Sequence, residues 1–258
     1  MTGVLRRWGR FAGIAALAGL LVSAAAGPVG AAGPGPICLA PTGEDLPDTG
    51  PVLKWSLSSY RVTTVSSYWS VVAVRGSQGY NPDLVLHDQA KCVLAAGEDG
   101  SANRVDWIAF DNNSGRLPIG AYPARVYGHP GNTSPVKYQV QFVRGWATLS
   151  TTATYFQPVG TTSSDWVVDI RDVHLTAGTT YLFTVNGGVT SMHLLGSTGE
   201  SATWSKTATT ADRTVDIELP GPLYGGFTVT APRTGWYGLL FVRDSVLNVP
   251  VAVQIGVI

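Results

Sequence analysis

The sequence has little charge of either sign. Charged residues make up 13% of its 258 residues, about half of the roughly 25% usual in soluble domains. Three of the 17 basic residues precede residue 11, so beyond residue 32 there remain 14 Lys and Arg against 17 Asp and Glu, a net charge of −3. Nucleic-acid-binding proteins need a surplus of basic side chains to neutralise phosphates. The composition therefore excludes a nucleic-acid partner.

Recognisable catalytic signatures are also missing. The sequence contains no Gly-x-Ser-x-Gly elbow, no His-Glu-x-x-His zinc motif, no phosphate-binding loop and no dinucleotide fingerprint. Of the four histidines, only His87 has a carboxylate beside it, Asp88. In a strand these neighbours point to opposite faces, which disfavours a catalytic pair. We therefore predict a protein that is not an enzyme, and an enzyme with a dispersed site is the least favoured alternative.

Long apolar runs are absent except near the N-terminus. Three arginines precede the run Ile14 to Ala26, and small residues follow, with cleavage expected after Ala26 or Ala32. This order of segments is typical of a secretory signal peptide. A membrane anchor would need about 20 apolar residues, and Gly27 and Pro28 interrupt the run first. We predict a signal peptide over residues 1–32, a secreted protein, and no membrane span after cleavage.

Cysteine is scarce. Cys38 and Cys92 are the two cysteines of the chain. In an exported protein an even pair most simply forms a disulfide, which here would close a loop of about 55 residues and add ~4 kcal/mol. A reactive thiol is the alternative, and no Cys-x-x-Cys motif supports it.

Strand signals fill the rest of the chain. Apolar and polar residues alternate over Tyr138 to Phe142, Val215 to Leu219 and Val251 to Ile255, as in strands with one buried face. Clusters of Gly, Pro, Asn and Ser separate these runs. No sustained 3.6-residue period occurs beyond the leader. The pattern predicts an all-β fold of sandwich or barrel type.

The strand signals occur twice in the same order. Ser67 to Val71 corresponds to Thr180 to Val185, and Gly120 to Tyr127 corresponds to Gly235 to Val242. Three further pairs complete the correspondence: Asp83 to His87 with Met192 to Leu195, Asp106 to Phe110 with Thr214 to Glu218, and Tyr138 to Phe142 with Val251 to Ile255. We predict a Pro/Gly-rich tail over 33–52, a β-sandwich over 53–147, a Thr/Ser-rich linker over 148–165 and a second β-sandwich over 166–258.

This repeated unit resembles the bacterial pre-peptidase C-terminal (PPC) domain. The resemblance covers residues 53–146 and 166–258, and it rests on Gly-x-Tyr strands and on final strands with Tyr or Val at alternate positions. The residues that carry it are Tyr68, Asp83 to Asp88, Gly120-Ala121-Tyr122, Val126 and Tyr138-Gln139-Val140, and then Tyr181, Gly235-Trp236-Tyr237, Phe241 and Val251. In the second copy no Asp opens the strand at Met192, which departs from the pattern. The family implies small jelly-roll β-sandwiches that act as non-catalytic modules of secreted proteins.

Acidic residues at strand ends suggest one candidate metal site. Asp83 and Asp88 bracket one predicted strand, and Asp111 closes another, next to Asn112 and Asn113. Calcium prefers six to eight oxygen ligands, often from loops at strand ends. Asp and Asn also favour such positions because they stabilise turns. No cofactor is required by the sequence, and calcium is the one that these residues would accept.

Tryptophans provide the candidate ligand-binding residues. Trp69, Trp107 and Trp166 lie within strand patterns, which predicts packing. Four others lie nearer to turns and could stack on sugar rings if exposed: Trp55, Trp146, Trp204 and Trp236. Packing at edges or between domains is the alternative for these four.

Taken together, these patterns predict a secreted accessory protein of two β-sandwich modules that binds an extracellular or cell-envelope protein. A pair of carbohydrate-binding modules for a cell-envelope glycan is the alternative. The sequence does not specify the oligomeric state.

Overall fold

In the computed structural model, the described residues form strands, turns and connections. They are residues 43–48, 50–65, 68–77, 79–90, 92–97, 105–112, 117–132, 136–145, 147–159, 166–188, 191–196, 203–205, 213–218, 224–243 and 250–258. Within these ranges the chain forms strands and no helix, which confirms the all-β prediction. Among them there is accordingly no helix of the length and apolarity that a membrane crossing requires. The predicted signal peptide lies outside these ranges.

The strands, numbered in chain order, are β1 (Glu44–Asp45), β2 (Val52–Lys54), β3 (Ser59–Thr63), β4 (Trp69–Gly76), β5 (Pro82–His87), β6 (Val93–Gly97), β7 (Val105–Asp111), β8 (Ala121–Gly128), β9 (Tyr138–Arg144), β10 (Thr148–Leu149), β11 (Gln157–Val159), β12 (Val168–Leu175), β13 (Thr180–Asn186), β14 (Ser191–Leu195), β15 (Thr203–Ser205), β16 (Arg213–Glu218), β17 (Tyr224–Thr230), β18 (Gly235–Val242) and β19 (Val251–Val257).

These strands form four sheets. Sheet A has the order β1-β3-β8-β5-β6, and sheet B has the order β15-β7-β4-β9-β2. Sheet C has the order β10-β12-β18-β14-β16, and sheet D has the order β11-β19-β13-β17. Neighbouring strands are antiparallel except at β1 with β3 and at β10 with β12, which are parallel.

Each pair of sheets encloses an apolar core made from the alternating positions that the sequence predicted. Between sheets A and B, Tyr60 and Val62 of β3 meet Val140 and Phe142 of β9. Between sheets C and D, the core contains Phe183, Val185, Tyr237, Val253 and Ile255. Because successive strand residues point to opposite faces, the alternation in the sequence places these side chains inward. The two-sandwich prediction is thus confirmed at the level of sheets and cores.

The two sandwiches repeat one topology. The order β1-β3-β8-β5-β6 of sheet A recurs as β10-β12-β18-β14-β16 in sheet C, and β2-β9-β4-β7 of sheet B recurs as β11-β19-β13-β17 in sheet D. Equivalent glycines stand at the start of β8 and β18: Gly120 directly precedes β8 with φ of +154°, and Gly235 is the first residue of β18 with φ of +158°. The left-handed half of backbone space favours glycine, so the same turn is built twice.

One predicted correspondence is wrong. Asp106 to Phe110 lies in β7, whereas Thr214 to Glu218 lies in β16, the counterpart of β6. The counterpart of β7 is β17, at the edge of sheet D. Both β16 and β17 alternate apolar and polar residues, so periodicity does not distinguish between them.

The segments predicted as a tail and as a linker contain strands. In the first sandwich, the chain pairs as β1 with sheet A and then crosses to pair as β2 with sheet B. In the second, residues 148–159 do the same through β10 on sheet C and β11 on sheet D. The predicted linker therefore closes one open side of the second sandwich.

A third apolar core joins the two sandwiches, because sheet B packs on sheet C. Trp69, Val71 and Ala73 of β4 meet Ile170 of β12 and Leu240 of β18 there. Trp69 and Trp107 are each 1% exposed and Trp166 is 3% exposed, which confirms the prediction that these tryptophans pack. The outer faces of sheets B and C are consequently interior.

Two polar contacts also cross this third core. The carboxamide oxygen of Gln141 on β9 accepts hydrogen bonds from the backbone N–H groups of Val167 (2.6 Å) and Val168 (3.2 Å). Asp172 of β12 accepts one from the backbone N–H of Trp69 at 3.0 Å. Since buried backbone donors need partners, these side chains fix the two sandwiches in one register.

Strand β15 crosses between the copies. It belongs to the second half of the sequence but pairs antiparallel with β7 of the first sandwich, with Trp204 opposite Ala109. It has no counterpart in the first copy and covers the β7 edge of sheet B. The predicted boundary between the domains is therefore crossed by a strand.

Candidate functional site

Two of the four candidate tryptophans present an exposed ring. Trp55 is 63% exposed, and the Lys137 ammonium lies 4.6 Å from its ring centroid. Trp236 is 40% exposed and meets His174 edge-on, with ring centroids 5.1 Å apart. A cation already covers one face of Trp55, so Trp236 is the better surface for stacking.

For the other two candidates the structure describes no ring surface. Trp204 lies in β15 and its backbone pairs with Ala109 of β7, while Trp146 lies outside the described residues. Trp55 directly follows β2 of sheet B, whereas Trp236 lies in β18 of sheet C. These two rings are on different sandwiches, so they do not extend one strip within a sheet.

Asp83 and Asp88, two of the candidate calcium ligands, lie at opposite ends of β5. Five residues of strand separate them by about 16 Å. Asp83 is 1% exposed, and its Oδ2 lies 3.0 Å from Nδ1 of His129. Asp88 accepts a hydrogen bond from the backbone N–H of Cys92 at 2.8 Å and so caps the turn into β6. Their contacts are those of residues that hold loops in place.

Asp111 is buried at the end of β7, opposite Trp69 of β4. Among the described residues, no three His, Cys, Asp or Glu side chains come close enough to share a metal ion. For the predicted disulfide, Cys92 lies between β5 and β6, and Cys38 is outside the described ranges, so the pairing stays a prediction.

The histidines are spread over four different positions in the fold. The nearest approach to a nucleophile and base is Ser191 with His193, whose Oγ and Nε2 lie 2.9 Å apart on β14. Both are at least 91% buried, and the His193 ring lies 5.1 Å from that of Trp107 in the core between the sandwiches. A substrate has no access to a pair in this position, so its contacts are those of an interior hydrogen bond.

An open cleft with a volume of about 460 Å³ lies in the first sandwich. It lies where the chain leaves β1 and crosses from sheet A to sheet B. Nine residues line it: Asp45, Leu46, Pro47, Asp48, Arg61, Thr63, Ala121, Phe142 and Arg144.

Two arginine–carboxylate pairs form the polar walls of this cleft. Arg61 binds Asp45 in a bidentate contact, with Nη2 2.6 Å from Oδ2. Arg144 binds Asp48 with both its Nε at 2.9 Å and its backbone N–H at 3.0 Å. The hydrogen bond from Arg61 lowers the pKa of Asp45 and raises the pKa of Arg61 itself. The Arg61–Asp45 wall therefore stays ionised over the physiological range.

Thr63, the last residue of β3, also lines the cleft. β1 pairs with β3 as far as Arg61, whose carbonyl accepts the N–H of Leu46 at 3.0 Å. Backbone polar groups alternate in direction along a strand, so those of Thr63 point to the same side as those of Arg61. β1 ends before Thr63, which is exposed and lines the cleft. An extended segment could pair there.

Sequence reasoning missed this cleft. Asp45 and Asp48 lie in the segment predicted as a tail, while Arg61 and Arg144 are single charges on strands. The signal in the sequence that could have indicated a cleft was the close spacing of Asp45 and Asp48 in a chain with few charges. Their partners become visible only with the strand register.

Comparison with known proteins identifies no relative: no family model matches the chain, and no curated protein matches it.

Proposed function

We propose that this chain is a secreted, non-catalytic binding protein of two PPC-like β-sandwich modules. Its partner would be an extracellular or cell-envelope protein, bound through an extended segment in the cleft of the first sandwich. The observation that carries the proposal is the strand edge at Thr63, which lies between the Arg61–Asp45 and Arg144–Asp48 pairs.

Three features of the cleft support an extended polypeptide ligand. An added strand gains main-chain hydrogen bonds from an edge, and alternate side chains enter neighbouring pockets. Leu46 and Phe142 offer apolar contact in the cleft, and the two charge pairs offer partners for ligand groups of either sign. A stack of three apolar cores also holds the surface rigid, which reduces the entropy lost on binding.

The test is selection of peptides against the folded protein. A phage-displayed library of random linear heptapeptides is selected on the full secreted chain, and enriched peptides are titrated by fluorescence anisotropy. Thr63→Pro removes one edge N–H without removing a bond to β8, since Thr63 points away from that strand. We expect this change to weaken binding about tenfold, equivalent to one lost hydrogen bond of about 1.4 kcal/mol.

Thr228→Lys, on an exposed position of sheet D, is the matched control and should leave peptide affinity unchanged. Failure to enrich any peptide, or equal affinity for the Thr63→Pro variant, would show that the cleft does not bind extended segments.

A carbohydrate-binding function is the second candidate, favoured by the exposed Trp236 ring beside His174. Isothermal titration with soluble oligosaccharides tests it. Trp236→Ala should abolish the heat of binding if the ring is a sugar platform, whereas Trp55→Ala should have a smaller effect because Lys137 already covers that ring.

A further inference from the structure

The outer face of sheet D carries no Asp, Glu, His, Lys or Arg at its described outward positions. The inward positions of β13 and β19 pack in the second core, so the alternate residues face outward. Register places them in rows across the sheet, such as Gly256–Leu182–Thr228 and Gln254–Thr184–Gly226. The remaining outward positions are held by Pro158, Thr180, Asn186, Tyr224, Thr230, Ala252 and Ile258.

This face is open and low in relief. Its side chains are half-buried or exposed, with Leu182 at 37%. Four rows on four strands span about 15 by 20 Å. Gly226 and Gly256 add no side chain, and a Cβ at Gly256 would meet nothing within 4 Å. Such a surface fits an extended, flat ligand better than a protruding one.

The chemistry of the face is that of hydroxyl and amide groups. Thr180 and Thr230 are joined Oγ to Oγ at 2.8 Å, and Thr184, Thr228 and Gln254 add further donors and acceptors. Hydroxyls and amides both donate and accept, so they match a ligand that carries many hydroxyls. The lack of charge removes any electrostatic preference for an ionic ligand.

The outer face of sheet D differs in composition from its counterpart in the first copy, the face of sheet B that packs on sheet C. In the first copy the equivalent face of sheet B carries Trp69, Val71 and Ala73 on β4, and sheet C covers it. In the second copy the equivalent positions on β13 are Thr180, Leu182 and Thr184. Threonines replace two of the three apolar residues where the face is open, so a further sandwich would find less apolar surface to bury there than sheet C finds on sheet B.

An aromatic loop borders the face at its β11 edge. Residues 150–157 are closed by Gln157, whose carboxamide accepts from the backbone N–H of Ser150 at 2.7 Å and donates to its carbonyl at 2.8 Å. Tyr155 is 66% exposed and Phe156 is 38% exposed. Residues 148–164 carry no charge. Aromatic rings held in this way add contact area at low entropic cost.

From these observations we propose that the outer face of sheet D binds an uncharged, insoluble polysaccharide. This surface is separate from the cleft and from Trp236, so it goes beyond the function proposed above. The ligand class follows from a flat, neutral face with many hydroxyls, and from the aromatic loop at its edge.

Co-sedimentation with microcrystalline cellulose and with chitin, with carboxymethyl-cellulose resin as the charged counterpart, tests the proposal. We expect the full secreted chain to be depleted by at least one neutral polysaccharide. The double variant Thr184→Lys/Thr228→Lys should bind about tenfold more weakly, because two ammonium groups would have to be desolvated against a neutral surface. Unfolding midpoints of both proteins establish that the variant is folded.

A control variant separates this site from the rest of the surface. Val93→Lys, at an exposed position on β6 of sheet A, should leave polysaccharide binding unchanged. No depletion by either neutral polysaccharide would overturn the proposal, and so would equal depletion by the charged resin or full binding by the double variant. A dimer in light scattering that the double variant dissociates would also overturn it, because the face would then bind a second copy.

Discussion

The hydroxyl groups of Tyr60 and Tyr138 meet at 2.8 Å in the interior of the first sandwich. Tyr60 belongs to sheet A and Tyr138 to sheet B, so this hydrogen bond joins the two sheets across their core. Tyr138 also donates to the carbonyl oxygen of Ser56 at 2.9 Å. Burial raises the pKa of both phenols.

This pair predicts a loss of stability in alkali. Unfolded tyrosine ionises near pH 10, whereas the folded protein keeps both protons above that pH. The unfolded state therefore binds fewer protons above pH 10, and the free energy of unfolding should fall there by up to about 1.4 kcal/mol per pH unit for each phenol. Below pH 10 the two groups should contribute no slope.

Urea unfolding between pH 8 and pH 11 measures this slope. Replacing both tyrosines by phenylalanine should reduce this slope but not abolish it, because burial also raises the pKa of Tyr80 and of Tyr122. Tyr155→Phe, at an exposed position, should leave the slope unchanged. At neutral pH, Tyr138→Phe should cost about 1–3 kcal/mol because it leaves the Ser56 carbonyl without its donor. An unchanged alkaline slope in the double variant would contradict the assignment.

Gly238 gives a test of the interface between the sandwiches. A Cβ at this position of β18 would lie 2.6 Å from the ring of Trp69. Gly238→Ala should therefore destabilise the protein by about 1–3 kcal/mol, as overpacking of a filled core does. Gly256→Ala on the open face of sheet D is the control and should have little effect. Chemical denaturation measures the free energy of unfolding of the two variants. Equal values for Gly238→Ala and Gly256→Ala would mean that the two sandwiches can move apart to accept the added methyl group.

Gln141 gives a second test of the same interface. The side chain is fully buried, and its oxygen is the acceptor for the Val167 and Val168 amides. Gln141→Leu would leave two buried donors without a partner and should cost about 2 kcal/mol or more. Gln254→Leu, the same change at a half-buried outward position on β19, should cost far less. A Gln141→Leu protein as stable as the control would indicate that water replaces the carboxamide.

The calcium prediction can be tested by thermal unfolding. A site filled at a hundredfold excess over its Kd would add about 2.7 kcal/mol, or roughly 5–10 °C in a protein of this size. Because His129 contacts Asp83 and Asp88 caps its own turn, we expect the midpoint to be the same in excess calcium and in chelator. A rise of that size, lost in Asp83→Asn, would instead establish a calcium site.

Local periodicity was sufficient to predict which residues form strands and which of their faces lie in the two sandwich cores. The alternation in β9 and β19 placed Phe142 and Ile255 inward, as the structure has them. The Gly-x-Tyr segments were likewise matched to their true counterparts, β8 and β18. Strand register and the order of strands in each sheet could not be predicted from periodicity, because strands such as β16 and β17 have similar patterns.

The packing of one sandwich on the other was missed although the sequence holds a signal for it. Val71 to Val74 of β4 and Leu239 to Val242 of β18 are continuous apolar runs, which are typical of strands covered on both faces. The cleft could not be derived in the same way. Its Arg61–Asp45 and Arg144–Asp48 pairs depend on where the chain crosses between sheets, and no local pattern encodes that crossing.

Because β15 pairs with β7 of sheet B, the first sandwich depends on the second half of the chain. Without the second half of the chain, the first half would have its β7 edge open and its Trp69 and Trp107 face bare, a combination that promotes aggregation. Residues 203–205 cover that edge, and sheet C covers that face. The first half is therefore not a complete folding unit, and expressed alone it should be insoluble.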